Sequence, residues 1–198
     1  MAKFKEQRVG VLVDIQNLYY SAKALYGKKV NFQRVLEDAV GDRKLIRAIA
    51  YGIKTIERQE DKFFEALEKQ GFEVKSKDLQ VFAGGVKKGD WDVGITVDAI
   101  KLSKSLDVIV LVSGDGDYIP LVQYLQSTTG CRVEGMAFLE STSGKLVEEL
   151  DEFCSKADFV FNLAGVNRPQ DPKEFREGNF GFPSQLLDTL KKHNNKAP

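Results

Sequence analysis

Asp107-Val-Ile-Val-Leu-Val-Ser-Gly-Asp-Gly-Asp-Tyr118 opens with an unbroken apolar run, 108–112, and closes with two aspartates separated by one glycine. A short apolar run without polar alternation reads as a strand covered on both faces, the habit of parallel sheets flanked by helices. The next residues, Ile119-Pro120-Leu121-Val122, place a proline where a helix's first turn needs no backbone donor. Asp115 and Asp117 therefore stand where a buried strand ends and a helix begins.

Working outward, the same rhythm recurs. Residues 8–14 read as a first strand and 16–26 as a helix; Phe32, Val35, Leu36 and Ala39 form a second helical face closed by Gly41. A strand over 44–52 is followed by a helix over 57–70 that buries Phe63, Phe64 and Leu67, with Gly71 placed as its cap before a strand over 72–76. Residues 77–90, with Gly84, Gly85 and Gly89, read as a long surface loop. A helix over 92–106 burying Val93, Val97 and Ile100 leads into the strand 108–113. Beyond it come a helix presenting Leu121, Val122 and Leu125, a strand over 132–138, a helix over 145–154 and a last strand over 158–163. Alternation of this kind predicts an α/β, Rossmann-type three-layer fold with a mainly parallel central sheet. It spans residues 1–163, while 164–198, rich in Gly, Pro and Asn at its start, reads as a linker with a short helix near 185–192.

Composition excludes several chemistries. With 29 Lys plus Arg against 29 Asp plus Glu in 198 residues, no global positive field draws nucleic acid, so any such binding must be local. The single histidine, His193, lies in the tail, which leaves Ser-His-Asp and Cys-His systems without a base and zinc without its usual ligands. Only two cysteines, Cys131 and Cys154, no signal peptide and no long apolar span predict a cytoplasmic protein without membrane segments.

Oxygen chemistry remains. Asp14 ends the first strand and Asn17 follows in the same turn, so the aspartate is either a helix N-cap or a ligand. Asp117 has the cap reading too, ahead of Pro120, whereas Asp115 lies between two glycines that relieve the backbone of a tight turn. Carboxylates this crowded repel one another unless a divalent cation joins them, and Mg²⁺ or Mn²⁺ suits an all-oxygen donor set. Asp92 starts a helix after the glycine-rich loop; Asp90 is read as its cap, and Asp98 as solvated or paired with an amine. Lys87, Lys88, Lys101 and Lys104 surround the middle segment and predict phosphate contacts. Trp91 is either a core plug or a surface on which a base stacks. In a parallel sheet, right-handed crossovers bring Asp14, Asp92, Asp115 and Asp117 to one edge. Paired ions there, about 3.5 to 4 Å apart, activate a water and stabilise a leaving oxygen without histidine.

Three segments in this order, Val-Asp-Ile-Gln-Asn at 13–17, Lys-Lys-Gly-Asp-Trp-Asp-Val at 87–93 with Asp98, and Ser-Gly-Asp-Gly-Asp-Tyr at 113–118, resemble the NYN family of PIN-like nucleases. The resemblance covers about residues 8–163. It implies a PIN-like fold, a Mg²⁺- or Mn²⁺-dependent acidic site and hydrolysis of RNA in processing or turnover. It gives metal-site roles to Asp14, Asp92, Asp115 and Asp117 and an orienting role to Asn17. The spacing Gly89-Asp90-Trp91-Asp92 is one residue longer than that family's pattern, leaving Asp90, Asp92 and Asp98 as alternatives for the middle ligand. The expected substrate is single-stranded or looped RNA, and the apolar residues of the tail suggest self-association or a protein partner. A non-catalytic RNA-binding module of the same fold is the alternative. A phosphate-accepting receiver or aspartate-nucleophile phosphatase ranks last, because the first strand lacks the acidic pair that those mechanisms use.

Overall fold

The computed structural model describes residues 4–55, 60–81, 87–146 and 161–162. The expected tail, most of the 145–154 helix and most of the last strand lie outside these residues.

Strand β1 (Arg8–Asp14) leads into α1 (Ile15–Tyr26) and α2 (Phe32–Val40), then β2 (Lys44–Lys54), α3 (Asp61–Lys69) and β3 (Glu73–Asp78). Two short strands, β4 (Gln80–Val81) and β5 (Lys87–Lys88), precede α4 (Asp92–Leu102), β6 (Val108–Val112), α5 (Ile119–Thr128), β7 (Arg132–Ala137) and the two-residue β8 (Phe161–Asn162). The sheet order is β3-β2-β1-β6-β7-β8, and every neighbouring pair is parallel. Among the described residues, no helix is long and apolar enough to cross a membrane.

Side-chain alternation along the strands builds two cores. Val9, Val11, Val13, Val108, Val110 and Val112 meet α1, α2 and α3 on one face, where Leu18, Phe32, Val35, Phe64 and Leu67 are buried. Leu12, Ile49, Tyr51, Ile109 and Leu111 meet α4 and α5 on the other. The chain winds outward from β1 to β3, then crosses by α4 to lay β6 beside β1. Strand order reverses there, which opens a crevice between the carboxyl ends of β1 and β6.

Three expectations need correction. The 77–90 segment contains an antiparallel pairing of Gln80–Val81 with Lys87–Lys88 in place of a plain loop. The helix after it ends at Leu102, because Ser103 closes the last turn by donating its Oγ hydrogen to the Ile100 carbonyl at 2.8 Å. Its buried positions are Ile95 and Ala99, whereas Val93 is 74% and Val97 41% exposed. The reason is helical phase: Asp92 is held inward at the sheet edge, Ile95 and Ala99 follow on the same stripe, and Val93 and Val97, four residues apart, share a stripe roughly 100 to 140° around the helix that faces outward.

Candidate functional site

Asp14 is the last residue of β1, and its side chain is 7% exposed. Its Oδ1 accepts the Asn17 backbone N–H at 3.0 Å, capping α1. The Asn17 side-chain oxygen in turn accepts the Gly114 N–H at 2.9 Å. This single amide ties the turn after β1 to the turn after β6 across the crevice.

The turn after β6 differs from its sequence reading. Asp115, not Asp117, is the capping residue: its Oδ1 accepts the Asp117 N–H at 3.0 Å and starts the short 3-10 turn Gly116–Tyr118. That turn runs directly into α5, whose N-cap position is Tyr118 without a side-chain cap, and Asp117 is exposed. Gly114 and Gly116 are not in the left-handed region. Their role is close approach: a Cβ at Gly114 would meet Thr142 Oγ1 at 2.8 Å, and one at Gly116 would meet Ser143 Oγ at 2.5 Å. The Ser143 N–H donates to the Gly114 carbonyl at 2.9 Å, bracing the turn from behind.

Tyr118 is the residue that sequence reasoning missed. It is fully buried, and its hydroxyl lies 3.1 Å from Asp92 Oδ1 and 3.5 Å from Asp14 Oδ2, so one O–H spans two carboxylates from different elements. The signal was present as the aromatic that ends Ser-Gly-Asp-Gly-Asp-Tyr, but only packing shows that its ring enters the core and its hydroxyl reaches two carboxylates.

Asp14, Asn17, Asp90, Asp92 and Asp115 line one cleft of about 270 Å³. Burial raises the Asp14 carboxyl to about 6, the Asn17 N–H and Tyr118 hydroxyl oppose this, and the neighbouring charges of Asp92 and Asp115 add to it. Asp92 is raised as well, first by burial and then by Asp115, Asp90 and Asp117, against the Tyr118 hydrogen bond. Among the described residues, the ion pairs leave all of these aspartates unengaged. Asp98 is different. Burial pushes its carboxyl up, but hydrogen bonds from Lys75 Nζ at 2.7 Å and Tyr51 Oη at 2.8 Å outweigh that and lower it. It faces β2 and β3, away from the cleft.

The remaining candidates are dispersed. Asp90 is exposed on the cleft rim and does not cap α4, whose N-cap position is Trp91 without a side-chain capping bond. Lys87 and Lys88 form β5, just before Gly89 on the cleft wall. Lys101 lies near the end of α4, roughly 13 Å of helix rise from Asp92. Lys104 lies beyond that helix, toward the opposite edge of the sheet.

The donor set consists of carboxylate and amide oxygens, which fits a hard divalent cation. Among the described residues, no three acidic, histidine or cysteine side chains converge closely enough to hold one ion.

The signature of the NYN domain matches residues 8–159. The chain is 26% identical to the low amplitude and bright protein LabA of Synechococcus elongatus, over 84% of this chain and 93% of that protein. A 91-residue stretch, 45% of this chain, is 33% identical to a UDP-2-acetamido-2,6-beta-L-arabino-hexul-4-ose reductase of Pseudomonas aeruginosa, and it spans only 23% of that enzyme. Among solved structures, a protein of unknown function from Vibrio parahaemolyticus, VPA0982, superimposes with a TM-score of 0.68 at 33% identity, covering 75% of this chain and 92% of that one.

Proposed function

Because the chain belongs to the NYN domain family, a family of PIN-like nucleases, we propose that it is a metal-dependent ribonuclease hydrolysing RNA phosphodiester bonds in RNA processing or turnover. One observation carries this reading: Asp14, Asp92 and Asp115 open into a single cleft at the strand-order switch, with no cation against them among the described residues.

Asp14, Asp92 and Asp115 would hold Mg²⁺ or Mn²⁺ between them, one or two in direct contact with an ion and the others through its waters, with Asp117 and Asp90 acting from the rim through water. The ion, when bound, offsets the charge of carboxylates and phosphate and lowers the pKa of a water. The chain's own residues do the positioning. Asn17 fixes the spacing between the two turns, and the Tyr118 hydroxyl orients Asp14 and Asp92 toward each other. Lys87 and Lys88, beside Gly89, engage neighbouring phosphates, and Lys101 and Lys104 meet a more distant part of the same strand.

The first βα turn also argues against a dinucleotide enzyme. It reads Asp14-Ile15-Gln16-Asn17, with a buried carboxylate and no glycine where a pyrophosphate would need backbone N–H groups and close approach.

Incubation of the purified chain with a mixed RNA pool tests the proposal. Cleavage is expected with Mg²⁺ or Mn²⁺, none with chelator and none for Asp115→Asn. Metal-independent cleavage, or parent-level cleavage by Asp115→Asn, overturns it. RNA binding without any cleavage assigns the fold to a non-catalytic module instead.

A further inference from the structure

The cleft has two aromatic residues on its walls, and their surroundings separate them. Trp91 is the one that its sequence context singles out, but its ring is occupied. The indole N–H donates to the Gly52 carbonyl at 2.8 Å, the Tyr51 ring packs against it with centroids 5.3 Å apart, and Lys77 Nζ lies 4.7 Å from its centre. Gly94 lies against its edge, where a Cβ would come within 2.5 Å of the ring. Trp91 is thus a packed wall of the cleft.

Tyr20 is the opposite case. It lines the same cleft yet is 63% exposed. Tyr19 meets it edge to face, with centroids 5.5 Å apart and planes at 76°, which orients the ring while leaving most of the residue open. On α1 it sits one turn beyond Asn17, so the two side chains are neighbours on one helix face. Gln16 lines the cleft between Asp14 and Asn17 and adds an amide with both donor and acceptor capacity.

We propose that Tyr20 is a stacking platform for an unpaired nucleobase of the RNA strand, next to the phosphate that the aspartates receive. The proposal rests on the ribonuclease reading and names the form of the substrate: a strand whose base can leave its neighbours and lie on an open ring. Stacking of this kind accepts any base, because every base presents a π-face, and it rejects a duplex, whose bases are already stacked. Gln16 then lies where it can meet the edge of that base and bias the choice.

Binding of a short fluorescent single-stranded RNA to the full chain tests this, with Ca²⁺ replacing Mg²⁺ and strand integrity checked on a gel. Tyr20→Ala is expected to weaken binding by about 5- to 150-fold, the range of one lost base–aromatic stack. Tyr20→Phe, which keeps the ring, is expected to bind within about twofold of the parent. An RNA carrying abasic positions around the bound phosphate should bind parent and Tyr20→Ala alike. Far-ultraviolet circular dichroism and thermal melts of each variant establish that the fold is intact. If Tyr20→Ala binds as the parent does, or loses equally on the abasic strand, the platform is overturned while the nuclease reading stands. A parent chain that neither binds nor cuts any RNA removes both.

Discussion

Among the described residues two carboxylates are buried, and they are treated in opposite ways. Glu134 on β7 is 1% exposed, aligned in register with Val110 and, through it, Val11 on the face covered by α1 and α2. Arg43 reaches it in a two-pronged pair, with Nη1 to Oε1 at 2.7 Å and Nη2 to Oε2 at 2.9 Å, and spends its remaining donors on the Ala39 and Val40 carbonyls. Both charged groups are fully enclosed. Asp14 is almost as buried, but its partners are one N–H, one shared hydroxyl and two other aspartates. The core charge is neutralised from within the chain, whereas the charge at the sheet edge has no cation paired with it among the described residues. That contrast, more than acidity itself, makes the sheet edge the candidate site.

The largest expected effect lies in the core. Arg43→Ala takes the two-pronged partner from Glu134 and leaves it only the longer contact with Arg132 Nη2 at 3.5 Å, and should destabilise the chain by about 3 to 4 kcal/mol, whereas Arg43→Met combined with Glu134→Leu should lie far closer to the parent. Urea unfolding measures both. A loss below about 1 kcal/mol for the single change would mean that Glu134 finds water or a proton, and the contrast would collapse.

Asp14 comes next, with a signed pH dependence. Its carboxyl ordinarily titrates at 3.8 and is held at about 6 in the fold without metal. Below the ordinary value, both folded and unfolded chains carry the proton and stability is complete. As pH rises from about 4 through 6 the unfolded chain ionises first, so stability falls, by roughly 3 kcal/mol in all. In chelator, Asp14→Asn should remove that decline and be the more stable protein at neutral pH, since asparagine still caps α1. It should also lose metal-dependent cleavage. Thermal melts across pH settle the point: a parent whose stability is flat or rising from pH 4 to 6 contradicts the assignment of an uncompensated Asp14.

A smaller effect is expected at Tyr118. Tyr118→Phe keeps the ring and deletes the hydroxyl between Asp92 and Asp14, with an expected loss of about 1 to 2 kcal/mol at neutral pH. The deficit should shrink near pH 4, where Asp14 carries its proton and Asp92, shifted upward as well, takes up its own more readily than a free aspartate. Equal losses at both pH values would show that the hydroxyl has no special relation to the charged forms.

The smallest stability change belongs to Asp115→Asn, within about 0.5 kcal/mol, because asparagine also accepts the Asp117 N–H that defines the turn. Its activity, by contrast, should vanish. A variant that melts early and still cuts RNA at the parent rate would turn Asp115 into a structural cap and leave the cleft without a ligand from β6.

Local pattern carried much of the architecture. The unbroken run 108–112 marks a strand buried on both sides, and Phe32, Val35, Leu36 and Ala39 are the buried face of α2 because a 3.6-residue period leaves little choice of side. The ordered motifs made the family legible, and the strand-end positions of Asp14 and Asp115 follow from where apolar runs stop. Other features depended on contacts between distant segments. Helix α4 carries apolar residues on more than one side, so its phase waited on Asp92 and its neighbours, and Val93 and Val97 turned outward. The Asp115 cap, the close approach of Thr142 and Ser143 to the two glycines, and the reach of the Tyr118 hydroxyl to Asp14 and Asp92 all join residues far apart in the chain or settle a local choice by packing. The sequence by itself determined which residue types stand at strand ends, because hydrophobic period and turn chemistry are local. Only the tertiary structure decided which of them share a cleft, which are already paired with a cation and which ring is open, because those depend on what the fold packs against each side chain.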